Sequence, residues 1–150
     1  MQIEIRQATI NDLEGLAVLF DQYRIFYGQA SDIEKADAFL FDRFAHNESV
    51  IFVAEDKGAN KPAGFTQLYP IFSSVSMKRV WLLNDLFVAE TYRKQGIANG
   101  LLAAAKDFAE RTKAKGIELA TAMNNKGAQK LYEKMGYVRD TEFYHYFLGV

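Results

Sequence analysis

One short stretch, Tyr92 to Ala98, constrains the fold of this chain more than any other. It lies between an apolar segment, Val80 to Val88, and a long amphipathic segment. A strand that turns tightly into a helix leaves several backbone N–H groups without intrahelical partners, and these groups lie at the positive end of the helix dipole. The pattern therefore predicts an anion-binding turn suited to a pyrophosphate.

The residue types within this turn fit the same interpretation. Gly96 has no side chain and that of Ala98 is one methyl group, so neither obstructs an approaching phosphate. Arg93 and Lys94 supply positive charge. The alternative is an ordinary connection from a strand to a helix that contains two small residues.

The composition predicts one domain, residues 1–150, because 49% of the residues are hydrophobic and can form a sizeable core. The chain has no Cys, which excludes disulfides, thiolate metal ligands and a thiol nucleophile. Two isolated His residues make a poor metal site, so no metal is expected. Since neither a signal peptide nor a membrane-length apolar run is recognisable, we expect a cytoplasmic protein without a membrane partner.

Charge is divided unevenly along the chain. Residues 1–56 contain eleven acidic and four basic side chains, a net charge of −7, and residues 57–150 carry +6. This asymmetry suits a polyanionic ligand on one side and a cationic ligand on the other, although solvated helix faces would produce the same counts. Nucleic acid is not an expected partner, because exposed aromatic residues do not alternate with the basic ones.

The first half of the chain predicts a strand, two helices and a hairpin. Residues 2–8 alternate like a strand, and two capping-box patterns, Thr9 with Asp12 and Ser31 with Glu34, each start a helix.

Three antiparallel strands are predicted next, at Ser49–Glu55, Ala63–Phe72 and Met77–Val88. Pro70 is expected to bend or end the second of them. The third is apolar on both faces and is therefore expected to be central.

The second half predicts a helix over Gln95–Ala114 and a strand over Ile117–Ala122 that lies parallel to the central strand. A short helix follows Asn125, and aromatic-rich strands over Tyr137–Leu148 close the chain.

Two motifs resemble those of the GNAT superfamily of N-acetyltransferases. The family's pyrophosphate loop, Arg/Gln-x-x-Gly-x-Gly/Ala, is matched by residues 93–98. A second motif, Asn-x-x-Ala-x-x-Leu/Phe-Tyr-x-x-x-Gly-aromatic, is matched from Asn125 to Tyr137. The resemblance covers essentially the whole chain and implies a mixed α/β (α+β) fold. Its central sheet would have six to seven mostly antiparallel strands, splayed between strands 4 and 5 and flanked by four helices.

The resemblance implies acetyl-CoA as the co-substrate. The pantetheine arm would lie in the splay like an added strand, by the logic of peptide β-augmentation. Asn125 would hold this arm or its loop, although a plain helix N-cap is an equally good reading. The residues assigned to the coenzyme are Leu86, Phe87, Val88, Arg93, Lys94, Gln95, Gly96, Ile97, Ala98, Asn99 and Asn125.

Three residues are assigned to catalysis. Tyr132 matches the tyrosine that the family uses as a general acid toward the departing thiolate, and its alternative is a core tyrosine. Asn84 stands where diamine N-acetyltransferases, which this segment resembles, usually have glutamate. Asp85 is the nearest carboxylate for the general base, although strand alternation predicts that it faces away from Asn84. Glu90 or a water-mediated relay is an alternative.

Aromatic side chains under the two early helices predict an acceptor pocket, with ordinary core packing as the alternative. They are Tyr23, Phe26, Tyr27, Tyr69 and Trp81.

The favoured function is direct acetyl transfer from acetyl-CoA to a primary amine through a ternary complex, because no Cys can form an acyl-enzyme. A small-molecule amine is favoured. The alternatives are a catalytically silent acyl-CoA-binding domain and a protein lysine or N-terminal acetyltransferase. The aromatic segment Phe143–Phe147 predicts a homodimer contact or an intramolecular core.

Overall fold

The computed structural model describes all 150 residues, Met1–Val150, and they form two compact units, Met1–Ala120 and Thr121–Val150. None of the helices combines the length and the apolar character needed to cross a membrane. The first unit contains five strands and three α-helices, and the second contains one α-helix. In chain order they are β1 Ile3–Gln7, α1 Leu13–Phe26, α2 Ile33–Ala45, β2 Val50–Asp56, β3 Lys61–Ser73, β4 Lys78–Val88, α3 Ile97–Arg111, β5 Gly116–Glu118 and α4 Lys126–Lys134.

The five strands form one sheet in the order β1-β2-β3-β4-β5. The first four are antiparallel, and β5 is parallel to β4. The β4–β5 ladder runs only from Val80 opposite Gly116 to Leu82 opposite Glu118, so the rest of β4 has no strand on that side. The predicted mostly antiparallel sheet and its splay after strand 4 are confirmed, with five strands in place of six to seven.

The sheet is covered by helices on both faces. Helices α1 and α2 pack on one face through a cluster that includes Leu16, Leu40 and Phe65, each at most 2% exposed. Helix α3 packs on the other face, where Phe108 contacts the rings of Phe52 and Trp81. These apolar layers hold the sheet in place, since burying such side chains is the main stabilising term of a fold.

The capping box at Thr9 is confirmed. The Thr9 N–H donates to the Asp12 carboxylate at 2.8 Å, and the Thr9 hydroxyl accepts from Asn11 N–H. The box starts a 3-10 turn, Ile10–Asp12, from which α1 continues.

The second predicted capping box is wrong. The Ser31 hydroxyl donates to the buried Asp21 carboxylate at 2.7 Å, and Ser31 is not the N-cap of α2. Asp32 caps α2 instead, accepting from Lys35 N–H at 3.0 Å.

Two predicted strand ends also differ. Pro70 does not end β3, which continues to Ser73. The β2 ladder ends where Val50 faces Leu68, so Pro70 lies where β3 has only β4 beside it, and a strand edge tolerates the missing N–H. The predicted strand Ile117–Ala122 is shorter, because β5 ends at Glu118.

No strand forms over residues 137–150, where aromatic-rich strands were predicted. The residues from Phe143 to Leu148 include five large apolar side chains that are 72–94% exposed. Their composition suits a strand, but a strand also needs a hydrogen-bonded neighbour, which composition cannot reveal.

A buried hydrogen bond fixes the segment that follows β4. Tyr92 lies in a 3-10 turn, Glu90–Tyr92, and its hydroxyl donates to the Asp56 carboxylate at 2.6 Å. Both residues are less than 9% exposed. This hydrogen bond lowers the pKa of Asp56, which also accepts from the N–H groups of Gly58 and Ala59. The turn after β2 and the turn after β4 are therefore joined through one carboxylate.

Replacing Tyr92 with Phe removes this hydrogen bond. We expect the free energy of unfolding to fall by about 1–3 kcal/mol at pH 7, because the buried Asp56 carboxylate loses a donor. Asp56 has a lowered pKa in the folded state, so its contribution is present above pH ~4 and is lost as the pH falls through the folded pKa. Urea unfolding of both proteins at pH 7 and under acidic conditions should therefore show a difference that shrinks on acidification. Tyr27→Phe, at a 61% exposed tyrosine, is the control that should leave the free energy of unfolding unchanged.

Candidate functional site

The turn between β4 and α3 has the backbone of an anion site. Lys94 and Gly96 both have left-handed backbone angles, with φ of 62° and 79°. The first N–H with a partner in the helix is that of Gly100, which donates to Gly96 O. The N–H groups of residues 94–99 find no acceptor in the protein. This segment, called here the anion loop, therefore presents free donors at the positive end of the α3 dipole.

Glycine at position 96 is needed for its backbone conformation. A Cβ placed on Gly96 would meet no atom within 4 Å, so space is not limiting, whereas a φ of +79° is strained for other residues. Lys94 and Gln95 are exposed beside it, and Ile97 anchors the helix start with 4% exposure. Ala98 and Asn99 complete the first turn of α3.

Arg93 is directed toward β4 and α1. Its Nε donates to Val88 O at 2.9 Å. Its guanidinium carbon lies 5.2 Å from the ring centroid of Phe26 and 5.5 Å from that of Phe87. Arg93 therefore ties the end of β4 to the last residue of α1, a structural role that the motif alone did not reveal.

The unpaired part of β4 supplies the residues assigned to the pantetheine arm. Leu86, Phe87 and Val88 pair with β3 on one side, and β5 does not reach them on the other. A Cβ on Gly64, which faces Val88, would lie 2.9 Å from Phe87 O, so the close approach of the two strands here depends on glycine.

A β-bulge changes which way the next side chains face. Gln67 pairs with Asp85 and Leu68 pairs with Leu83, so Asn84 is the extra residue on β4. The Asn84 amide lies 3.2 Å from each Asp85 carboxylate oxygen. The prediction that Asn84 and Asp85 face opposite sides is therefore wrong, because alternation is interrupted at the bulge.

Asp85 belongs to a group of polar side chains that the sequence did not identify as a set. Its Oδ2 accepts from Gln67 Nε2 at 2.9 Å, and Gln67 Oε1 accepts from the Ser49 hydroxyl at 2.7 Å. The Tyr69 phenol interacts with Gln67, and burial together with the Asp85 charge raises the pKa of Tyr69 to about 12. We call these residues the Asp85 cluster: Ser49, Gln67, Tyr69, Asn84 and Asp85. The signal that could have found Gln67 is an amide inside an apolar strand.

The aromatic residues assigned to the acceptor pocket separate onto two faces of the sheet. The Tyr23 ring lies 5.6 Å from that of Phe87 and 5.2 Å from that of Tyr27, on the α1 face. Trp81 lies on the α3 face, where its Nε1 donates to Thr112 Oγ1 at 3.0 Å. Trp81 therefore does not line a pocket with Tyr23 and Tyr27, which lie together on the α1 face.

The second unit contains the remaining assigned residues. Asn125 caps α4, because its side chain accepts from Ala128 N–H at 3.1 Å. Tyr132 follows in the helix, and its ring makes an edge contact with Tyr137 at 5.8 Å. The Tyr137 hydroxyl is buried without a hydrogen-bond partner, and burial raises the pKa of Tyr137 to about 12.

Known proteins resemble this chain in sequence and in fold. The model of the acetyltransferase (GNAT) family matches residues 16–137. The N-acetyltransferase YhfO of Bacillus subtilis is 52% identical over 148 residues, covering 99% of this chain and 98% of that protein. A crystal structure of a probable acetyltransferase has a TM-score of 0.93 at 46% identity, covering 98% of this chain and 97% of the other.

A crystal structure of a predicted acetyltransferase from Clostridium acetobutylicum with acetyl-CoA shares the fold, with a TM-score of 0.77 at 18% identity over 97% of this chain and 96% of the other. The anion loop, the splayed sheet and these relatives together define the class of enzyme. The chain belongs to the GNAT family and is an acetyltransferase.

The contacts of Arg93 lead to a prediction about Arg93→Lys. Lysine keeps the positive charge but lacks the planar group that covers Phe26 and Phe87 and the Nε that bonds Val88 O. We expect the free energy of unfolding to fall by about 1–2 kcal/mol, measured by urea denaturation. The reverse exchange at the neighbouring position, Lys94→Arg, is the control and should leave stability unchanged. Equal stability of the Arg93→Lys protein and the native protein would show that only the charge at position 93 matters.

Proposed function

We propose that this protein transfers the acetyl group of acetyl-CoA directly to a primary amine, favouring a small-molecule amine, through a ternary complex. The observation that carries the proposal is the row of free N–H groups at residues 94–99 beside the unpaired part of β4. One element offers donors for a diphosphate and the other offers a strand edge for an amide-containing arm. Acetyl-CoA contains both chemical groups in series.

The proposed coenzyme contacts follow from this geometry. The diphosphate would bind the anion loop through the backbone of Gln95, Gly96 and Ile97, with Lys94 adding charge. The pantetheine arm would pair with β4 at Leu86–Val88. The crystal structure of the predicted acetyltransferase from Clostridium acetobutylicum with acetyl-CoA, which shares the fold, supports this choice of co-substrate. The family match spans both compact units, which supports their acting as one catalytic domain.

The proposed chemistry needs destinations for the two protons that a cationic amine loses and a donor for the departing thiolate. The protonated amine first loses one proton to Asp85, with Asn84 beside it. The neutral nitrogen then attacks the thioester carbonyl carbon, the C–S bond breaks, the nitrogen releases its second proton to solvent, and the amide product and a thiolate form. Tyr132 protonates the departing thiolate, a role carried over from the family motif.

The proposed acceptor is cationic before it reacts. Residues 1–56 carry a net charge of −7, which attracts a protonated amine. Tyr23, Tyr27 and Tyr69 lie on the same face of the sheet as Asp85 and would surround the acceptor. Asn84 replaces the glutamate usual in diamine N-acetyltransferases, so a single amino group is the recognition feature that we expect.

We further propose that the enzyme forms a homodimer through its C-terminal segment. Phe143, Tyr144, Tyr146 and Phe147 are each 72–94% exposed, and contiguous apolar side chains of this size usually mark an interface. Light scattering should give twice the chain mass, and Phe147→Glu should reduce it. A native protein that remains a monomer at high concentration would contradict this part of the proposal.

Replacing Gly96 with Ala tests the anion loop. We expect binding of acetyl-CoA to weaken about tenfold, a change of about 1.4 kcal/mol, because the loop must leave its left-handed conformation or hold it under strain. Isothermal titration calorimetry measures the effect. Gly28→Ala is a matched control, since Gly28 also has a positive φ, 84°, and open space around its Cβ. Both variants should lose similar stability, but only Gly96→Ala should bind acetyl-CoA more weakly.

Replacing Tyr132 with Phe tests the proposed general acid. We expect kcat to fall toward the lower end of the range for acid catalysis, about 10²-fold, because a thiolate leaves readily without much help. The KM for acetyl-CoA should change little. Release of free thiol with a panel of primary amines measures both constants. An unchanged kcat would remove Tyr132 from the mechanism, and no turnover with any amine would overturn the proposed reaction.

A further inference from the structure

Gln67 is a polar residue in an apolar place. It lies in β3 and is 0% exposed, between Thr66 and Leu68, which are also fully buried. A buried amide is costly unless its polar atoms are hydrogen bonded. Both ends of the Gln67 amide have partners, Asp85 Oδ2 at 2.9 Å and the Ser49 hydroxyl at 2.7 Å.

These two hydrogen bonds have a fixed direction. An ionised carboxylate only accepts hydrogen bonds, so the NH₂ end of Gln67 must face Asp85. The carbonyl end then faces Ser49, whose hydroxyl must donate. Ser49, just before β2, therefore holds the carbonyl end of the Gln67 amide, and the NH₂ end of Gln67 binds one oxygen of Asp85.

The second neighbour of the carboxylate lies at the surface. Asp85 itself is buried, at 6% exposure, but Asn84 beside it at the bulge is exposed. The Asn84 amide contacts both carboxylate oxygens at 3.2 Å, a longer distance than the Gln67 bond. The shorter of these contacts to the carboxylate therefore comes from the buried amide of Gln67.

We propose that Gln67 is a positioning residue that holds the Asp85 carboxylate in the orientation in which it accepts the proton of the acceptor amine, and that Ser49 fixes Gln67 for this purpose. This inference rests on the proposed function and adds two residues, Ser49 and Gln67, that no motif identifies.

Tyr69 is the ionisable member of the cluster besides Asp85. The charges of Arg43 in the last turn of α2 and of Glu48 before β2 act on Tyr69 along with that of Asp85. Burial raises the pKa of Tyr69 to about 12, so Tyr69 stays protonated across the pH range of an acetyl-transfer assay.

The test compares Gln67→Met with Thr66→Val. Methionine keeps the length of glutamine but cannot donate to Asp85. Thr66 donates its hydroxyl to the backbone carbonyl of Asp85 at 2.8 Å, so Thr66→Val removes a buried hydrogen bond to the same residue without touching the carboxylate. Both variants should lose stability.

Only Gln67→Met should change the kinetics. We expect its kcat to fall by about tenfold or more, with the amine KM little changed, since the carboxylate is misplaced while substrate binding remains. Thr66→Val should retain the native kcat and KM. If Gln67→Met does not fold, Ser49→Ala should show a smaller fall in kcat, again with the amine KM little changed.

Asp85→Asn distinguishes a failure of the positioning role of Gln67 from a failure of the proposed base, Asp85. If Asp85→Asn abolishes turnover while Gln67→Met or Ser49→Ala keeps the native kcat, the positioning role is overturned and the proposed function stands. If Asp85→Asn retains native turnover, the assignment of Asp85 as the base fails, and the positioning role fails with it. A native protein without turnover on any amine would overturn the proposed function itself.

Discussion

The early end of the β4–β5 ladder is the constraint on which the rest of the site depends. Pairing stops at Leu82, while β4 continues to Val88 with β3 alone beside it. Because β5 is the last strand of the sheet and pairs only with Val80 to Leu82, the carboxyl half of β4 has no strand on that side. The same strand leads through the turn at Tyr92 into the anion loop. A strand edge and a helix N-terminus are thereby placed in succession on one stretch of chain.

The bulge at Asn84 determines which face of the sheet carries the Asp85 carboxylate. Before the bulge, Trp81 and Leu83 belong to the α3 face, and after it Asp85 and Phe87 belong to the α1 face. One inserted residue therefore moves a carboxylate from a layer packed around Phe108 to the layer that contains Gln67 and the tyrosines. Without the insertion, Asp85 would share a face with Trp81, and the Asp85 cluster could not form.

The sequence predicts features that depend on local rules. The loop motif, the Thr9 capping box and the helical spacing of α3 each involve residues close in the chain, and the structure contains all three. Features that depend on a partner strand were not predictable. The bulge arises from the register between β3 and β4, and the tolerance of Pro70 depends on where β2 ends. The strands expected over Tyr137–Leu148 do not form, because this segment has no neighbouring strand to pair with. Gln67 is recognisable in the sequence as an amide inside an apolar strand, but its hydrogen-bond partner Ser49 lies 18 residues away.

The bond between Tyr92 and Asp56 has a consequence for affinity. A flexible loop must give up conformational freedom when a ligand arrives, and this loss subtracts from the binding free energy. Here Tyr92, two residues before the anion loop, is already immobilised by a buried contact made during folding. The entropy of ordering the entrance to the loop is therefore lost once, as the chain folds, and the donors are preorganised before any anion reaches them.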